Sequence, residues 1–416
     1  MAETPQAATA PIRAEFVQHR QSLFWLVLGQ ACLTILTLGL YRFWMTTRLR
    51  RFYFSSVRIM GDPFEYTGNG LEKLVGFLVA VIILAIYLTI ANFAFVFAGL
   101  YSTDDVIALQ IAINLSILAS LPLIHFATYR ARRYVMARTR WRGIRFGMEQ
   151  AAWRYAGRAL WLDILAAVSL GILYPYRHFH LTRFVTDRTW FGDRPFHQAG
   201  RWVPLLGYWV WVYLGVVLLA GALIAVAMAP EDPEVAGVAG LVLLAGYLAI
   251  YILMLRYRVA AFRYLWNHRT LGGTRFNNDV DTGEVIGLTI GGSAGVAVLA
   301  GLAAFLAMVL AVVVGAVVFG PERLEAVLDA VNNEKLTGEA SWWVLGLLAV
   351  GYLSAIPVGL AFNHIFLVRP ILKRQVKGLR IANAEALGTV RQRDHDHALE
   401  AGGFADALGV DIGSGF

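Results

Sequence analysis

The chain has 416 residues, of which 58% are hydrophobic and only 15% charged, and it carries a net charge of +8. With a mean hydropathy of +0.58, this composition excludes a water-soluble globular domain, a disordered chain and a fibrous repeat. It is the composition of a polytopic membrane protein. Of the 36 basic residues 32 are Arg and four are Lys, a bias that matters because a guanidinium grips phosphate or carboxylate through two bonds where an ammonium offers a point charge. The single Cys32 lies in an apolar stretch, so neither a disulfide framework nor a cysteine metal site is expected.

In chain order, Met1 to Arg20 is polar and shows no apolar signal core. Gln21–Tyr41 is apolar and ends in Thr37-Leu38-Gly39-Leu40-Tyr41. Leu74–Leu100 and Val106–Thr128 each supply the roughly 20 uncharged apolar residues of a crossing helix. Ala159–Tyr176 is shorter, contains Asp163 and ends in Ser169-Leu170-Gly171-Ile172-Leu173-Tyr174. Trp202–Pro230, Val235–Leu255, Val285–Pro321 and Ser341–Val368 are four further crossings. Connections rich in Lys and Arg face the cytoplasm, and here they are the two tails and the stretches near 42–73, 130–158, 177–201 and 256–275. Ser102–Asp105, Glu231–Glu234 and Glu322–Trp342 are acidic and belong outside. Gln21–Tyr41 and Ala159–Tyr176 would then each join two inside segments. Both are therefore read as re-entrant or interfacial helices that break at Gly39 and Gly171, with ordinary crossings as the alternative.

The strongest signal is an internal repeat: Arg, then Phe or Tyr, then eleven residues, then Phe. It occurs at Arg51-Phe52 to Phe64, Arg133-Tyr134 to Phe146, Arg183-Phe184 to Phe196, and Arg263-Tyr264 to Phe276. Composition alone predicts roughly 0.2 such matches. Eight residues after each Arg stands an apolar residue (Ile59, Trp141, Phe191, Leu271), and two further on comes Gly61, Gly143 or Gly273, with Asp193 the exception just after Gly192. The spacing reads as an Arg-rich helix end, an extended turn through Gly, and a Phe returning to the membrane face. A shallow segment, a box, two crossings and a second box recur in parallel, a plan some transporters share.

The fold expected is therefore all-α and polytopic, with six transmembrane helices in three hairpins, two re-entrant or interfacial helices, and an internal parallel duplication. The parts are a cytoplasmic tail (1–20), two membrane repeat units (21–157 and 158–283), a C-terminal transmembrane hairpin (284–368) and a cytoplasmic tail (369–416).

Thr34-Ile35-Leu36-Thr37-Leu38-Gly39-Leu40-Tyr41-Arg42-Phe43-Trp44, with Arg50-Arg51-Phe52-Tyr53 and Gly61-Asp62-Pro63-Phe64-Glu65-Tyr66-Thr67-Gly68, resembles the signature of the YjgN-like family of bacterial inner-membrane proteins. Arg369-Pro370 and Gly403-Phe404-Ala405-Asp406-Ala407-Leu408 resemble it again. Tyr174-Pro175-Tyr176-Arg177 departs from a Tyr-x-x-Trp pattern, so the two halves match only approximately. The family is a domain of unknown function. The resemblance implies a multi-pass inner-membrane location and supplies no catalytic residues.

Arg48, Arg50, Arg51, Arg133, Arg140, Arg183, Arg263 and Arg275, flanked by aromatics, are candidates for binding a small anion or anionic lipid headgroups. The plainer reading is that they only mark the cytoplasmic side. Membrane lipids are thus the expected partners; nucleic acid is not, because the charge is scattered among short connections. Asp163 is the one acid inside an apolar segment, a costly placement that points to function unless Arg154 or Arg158 neutralises it. Asn92 and Asn114 fall within crossings, where amides line a path or tie helices together. Gly291-Gly292-Ser293-Ala294-Gly295 mimics a nucleophile elbow without its strand, and Gly287, Gly291 and Gly295 read instead as a close-packing stripe. His178 with His180, and Asp394-His395-Asp396-His397, lack a spaced partner group, so no metal, cofactor or enzymatic role is expected. Leu324, Val327, Leu328 and Val331 have the spacing of a short amphipathic helix. The tail from Lys373 reads as a short helix with a flexible end.

Overall fold

The structure is a computed structural model that describes residues 11–17, 22–97, 106–228, 233–320, 322, 325 and 339–393. Leu324, Val327, Leu328 and Val331 of the expected amphipathic helix, the acidic-histidine run at 394–397 and the family-like segment at 403–408 lie outside the described residues. The chain forms two compact units. One contains residues 1–17, 50–282 and 375–416, and the other residues 18–49 and 283–374.

The protein is mostly helical, and among the described residues five helices are long and apolar enough to cross a bilayer: Gly70–Phe95, Val203–Ala227, Gly237–Asn267, Thr282–Val318 and Trp342–Lys377. Their exposed faces carry large apolar side chains such as Ile90, Leu218 and Val298, a surface that water would penalise and lipid tails accept. Numbered along the chain, the helices are α1 (Leu23–Leu36), α2 (Arg42–Ser56), α3 (Gly70–Phe97), α4 (Val106–Ala137), α5 (Ala152–Val168), α6 (Tyr174–Thr186), α7 (Val203–Ala227), α8 (Pro233–Asn267), α9 (Thr282–Phe319), α10 (Glu339–Asn363) and α11 (Arg369–Lys377). The sixth expected crossing, Val106–Thr128, is helical within α4. Some of its first side chains lie outside the described residues, and it is not among the five.

The expectation of an all-α fold is corrected by an eleven-stranded antiparallel sheet in the first unit. Each box is a helix end followed by a small β-hairpin: β3–β4 (Val57–Ile59, Asp62–Tyr66), β5–β6 (Thr139–Trp141, Ile144–Met148), β7–β8 (Thr189–Phe191, Arg194–Gln198) and β9–β10 (Arg269–Leu271, Thr274–Asn278). At two of these helix ends the Thr139 and Thr189 hydroxyls donate to the carbonyls of Val135 and Val185, acceptors left over by the last turn. Two-residue turns follow. Met60-Gly61 and Arg142-Gly143 have positive φ at both positions, as a type I′ turn requires, whereas Gly192 and Gly272 have it at the first position only, as in type II′. Asp193 is therefore no exception to the repeat: its turn places the glycine one residue earlier.

A lone hairpin of three and five residues is marginal. Here each one pairs with the next, Phe64 opposite Trp141, Phe146 opposite Phe191 and Phe196 opposite Leu271. The tail read as a short helix with a flexible end has its helix in α11, and Leu379-Arg380-Ile381 beyond it forms a strand, β11 (Leu379–Ala382), along β10, Phe276 opposite Ile381. The N-terminal segment then closes the sheet. β1 (Ile12–Arg13) pairs with β11, and β2 (Glu15–Phe16) pairs with β3 at the opposite edge. Ala14 donates its N–H to the Leu379 carbonyl at 3.1 Å and Val17 donates to Ser56 at 2.8 Å. One five-residue segment thus joins both edges, and the strands form a ring without an open edge.

The repeated Phe defines the inside of that ring. Phe64, Phe146, Phe196 and Phe276 sit on alternate strands, which in a flat sheet lie roughly 9.5 Å apart. Their ring centroids are 6.1, 6.4 and 6.2 Å apart in succession. The sheet must curl toward them, so the aromatic face is concave. Ile59, Trp141, Phe191 and Leu271, on the same face, are all buried. Glu65, Arg140, Arg145 and Arg275 alternate onto the convex face.

The two Leu-Gly segments share one local geometry. In each, a helix ends at Thr37 or Ser169, the next Leu adopts the left-handed conformation (φ 51° at Leu38, 50° at Leu170), and the Gly continues it. Gly39 donates to Thr34 and Gly171 to Ala166, both at 2.7 Å, closing a six-residue Schellman ring. The Thr37 and Ser169 hydroxyls accept the N–H of Tyr41 and Leu173, the residues just before the following helix. Leu38 is 95% exposed and Leu170 80%.

In the second unit α1 packs along α10, with Phe24 5.3 Å from Phe362. The small-residue stripe on α9 is corrected by one position. Gly287 and Gly291 face open space, and it is Gly292 whose missing side chain admits the Phe366 carbonyl, 2.7 Å from where a Cβ would lie.

Candidate functional site

A polar constellation in the first unit centres on Asp163. Its Oδ2 meets His125 Nε2 of α4 at 2.6 Å, and its Oδ1 accepts from Arg177 Nε of α6. One carboxylate on α5 thus ties three helices, and its bond to Arg177 clamps the turn that contains Leu170. The partners suggested by the sequence are not the ones used; Arg158 instead lies 5.8 Å over the Phe184 ring. His125 is only 12% exposed, and Asp163 and Arg177 about a quarter exposed. The aromatic wall beside them is Tyr129, Tyr155 and Phe184, buried together with Leu162 and Leu181.

The eight arginines of the sequence reading spread over four helix ends and hairpins. Arg50 donates to the Tyr66 hydroxyl at 3.4 Å and Arg51 to the Gly68 carbonyl at 2.8 Å. Buried Arg133 donates to the Met148 carbonyl at 3.2 Å. Arg183 pairs with Asp187, both a helical turn apart and partly exposed. Arg140 lies opposite Glu65 on one side and Arg145 on the other, Arg275 lies exposed on β10, Arg263 is half-buried on α8, and Arg48 is exposed on α2. Asn92 ties two helices, since Ser116 of α4 donates to its carbonyl oxygen on α3 at 2.7 Å, whereas Asn114 accepts from Gln110 one turn away within α4 at 3.5 Å.

His178 and His180 do not converge. His178 hydrogen-bonds the Tyr257 hydroxyl at 3.0 Å, and burial, reinforced by Arg177 and Arg258, pushes it down to about 4. His180 packs on Tyr176 at 4.2 Å, and burial with Arg158 and Arg183 lowers it too. Among the described residues no group of three His, Cys, Asp or Glu gathers as metal ligands would.

His125 was missed by sequence reasoning. It sits 38 residues before Asp163, and only the antiparallel packing of α4 on α5 brings the pair together.

The profile of a family described as bacterial proteins of unknown function, DUF898, matches residues 11–312. The chain belongs to this family. That agrees with the YjgN-like resemblance of the Leu-Gly-Leu-Tyr and box motifs. The match runs from the strand that closes the ring through all four boxes and into α9. No curated protein and no solved structure matches the chain.

Proposed function

We propose that this DUF898 protein is a multi-pass protein of the bacterial inner membrane, both termini cytoplasmic, that moves a small anionic solute or an anionic lipid headgroup. In this reading six crossings form three hairpins (α3–α4, α7–α8, α9–α10), the two Leu-Gly turns dip into the bilayer as re-entrant tips, and the ring lies on the cytoplasmic side. The order helix–turn–helix, hairpin, two long helices, hairpin occurs twice, which supports an internal duplication. Exposed Leu38 and Leu170, held in a conformation that costs a branched residue energy, suit a lipid environment.

The observation that carries the functional reading is Asp163. A carboxylate shared by His125 and Arg177 inside an apolar helix pair is expensive to build and poised to be displaced. An incoming anion competes with it for Arg177. The reading assigns no catalytic step and no cofactor. A second reading, a non-transporting scaffold that binds anionic lipids or partner proteins, draws on the Asn92–Ser116 bond and the Tyr87 hydroxyl bonded to the Ala119 carbonyl, both helix-tying contacts.

Cysteine accessibility in intact cells tests the reading, with Cys32 replaced and single cysteines at Asp104, Arg140, Asp187, Asn92 and Asn114. Labelling of Asp104 but not Arg140 or Asp187 from outside fits the six-crossing plan. Reaction of the Asn92 and Asn114 positions with a small hydrophilic reagent marks a wet path; silence at both favours the scaffold.

A further inference from the structure

The carboxylate of Asp163 sits between two bases of different kinds. Arg177 on α6 holds Oδ1, and His125 on α4 has its Nε2 2.6 Å from Oδ2. A guanidinium keeps its charge, whereas an imidazole is the side chain that gains and loses a proton between about pH 5 and 8. The hydrogen bond fixes which ring nitrogen is available. A carboxylate paired with a guanidinium is ionised and only accepts, so Nε2 of a neutral His125 carries the hydrogen and the lone pair is on Nδ1. Among the described residues no group bonds Nδ1. A proton arriving from water therefore has one place to go.

The groups around His125 are few. Its own helix presents Tyr129 one turn on, α5 presents Asp163 and Tyr155, whose ring is 6.4 Å from the imidazole, and α6 presents Arg177, with Tyr176 packed against the same apolar cluster. Arg132 of α4 lies within electrostatic reach of Tyr155, and Arg158 of α5 is turned to Phe184. α3 passes this level between its contacts at Ala119 and Tyr134 and is uncharged there, from Leu74 to Ile86. With His125 neutral, the linked charges of Asp163 and Arg177 cancel. An anion added to them leaves a negative charge in excess beside apolar side chains, which is a costly arrangement. A proton on His125 removes that excess. It also turns the contact at Oδ2 into an ion pair, which takes over the charge of Asp163 and releases the Arg177 guanidinium to the anion.

We infer that His125 is the proton-coupling residue of this site, one proton on its Nδ1 accompanying each negative charge that Arg177 takes up. The empty site is neutral without that proton and the loaded site is neutral with it, so neither form carries net charge through the bilayer. The proton comes from water on the entry side and returns to water on the exit side with the anion. No bond within the anion is made or broken. The inference rests on the reading of this protein as one that moves an anion across the membrane, and it names the coupling ion.

The test uses the full-length protein in proteoliposomes, with labelled chloride and labelled methanesulfonate as probes, because neither changes its own charge where histidine titrates. Valinomycin with equal potassium on both sides clamps the membrane potential. With the outside more acidic by one pH unit, the wild type accumulates a probe up to about tenfold, since a pH unit and a tenfold concentration ratio are the same free energy. An inward probe gradient alone acidifies the lumen, read by a trapped dye. H125Q still offers Asp163 a hydrogen bond but takes no proton, so whatever flux it retains does not respond to the pH gradient. Wild-type flux that ignores the gradient, or H125Q flux that follows it as the wild type does, overturns the coupling and leaves transport standing. Should H125Q not insert, the dye still decides on the wild type alone: anion entry without acidification overturns the coupling. Folded, inserted wild type that moves neither probe sinks the transport reading and the coupling with it.

Discussion

Gly147 lies opposite Trp190 across the β6–β7 pair, and a Cβ on it would sit 2.1 Å from the indole Nε1 and 2.4 Å from Cε2. Elsewhere in a strand, Gly→Ala would stabilise by about 0.5–1 kcal/mol through the chain entropy it removes. Here the indole is already packed, with Arg393 4.9 Å over its ring, so it must shift or the strands must part. That overpacking costs about 1–3 kcal/mol, and the sign reverses. The double mutant isolates the cause: with W190A the obstacle is gone and G147A becomes neutral or stabilising by about 0.5–1 kcal/mol. Thermal midpoints of the four proteins in one detergent should therefore fall from wild type to G147A but not from W190A to the double mutant. A G147A protein as stable as wild type, or a double mutant less stable than W190A, would refute the pairing of β6 with β7 and with it the continuous ring.

Three further outcomes follow from the same contacts. D163N removes the carboxylate that Arg177 and His125 share; at about a quarter exposure the loss is about 1–2 kcal/mol, seen as a lower thermal midpoint that R177Q partly restores in the double mutant. His178 titrates near 4 when folded and near 6.5 when unfolded, so the unfolded chain binds the proton first. Stability is thus full above about pH 6.5 and falls toward pH 4 by up to about 3 kcal/mol, and H178F should flatten that part of the profile. A14P deletes the N–H that donates to Leu379; limited proteolysis should then cut near residues 12–17 while helix content by circular dichroism is unchanged.

The helices were legible because apolar runs of 20 or more residues have few alternative readings. So was the break at Gly39 and Gly171, where the motif itself specifies the left-handed turn. The sheet was not, because each strand has only three to five residues and its partner lies in another box: Phe64 pairs with Trp141, and Phe276 with Ile381, across long stretches of helix. The repeat announced that Phe64, Phe146, Phe196 and Phe276 share a role, but only their mutual distances show that the role is to fill a ring. Asp163 stood out by its burial cost alone. Its partner His125 did not, because the two lie 38 residues apart and only the packing of α4 on α5 brings them together.

Anion flux in proteoliposomes tests the central claim most directly. Vesicles loaded with labelled phosphate or a labelled organic anion are compared with protein-free vesicles and with D163N. The account predicts protein-dependent flux of at least one anion, strongly reduced in D163N while the variant stays folded. Wild-type protein that is folded and inserted yet passes none of these anions, and D163N that behaves identically, would contradict it.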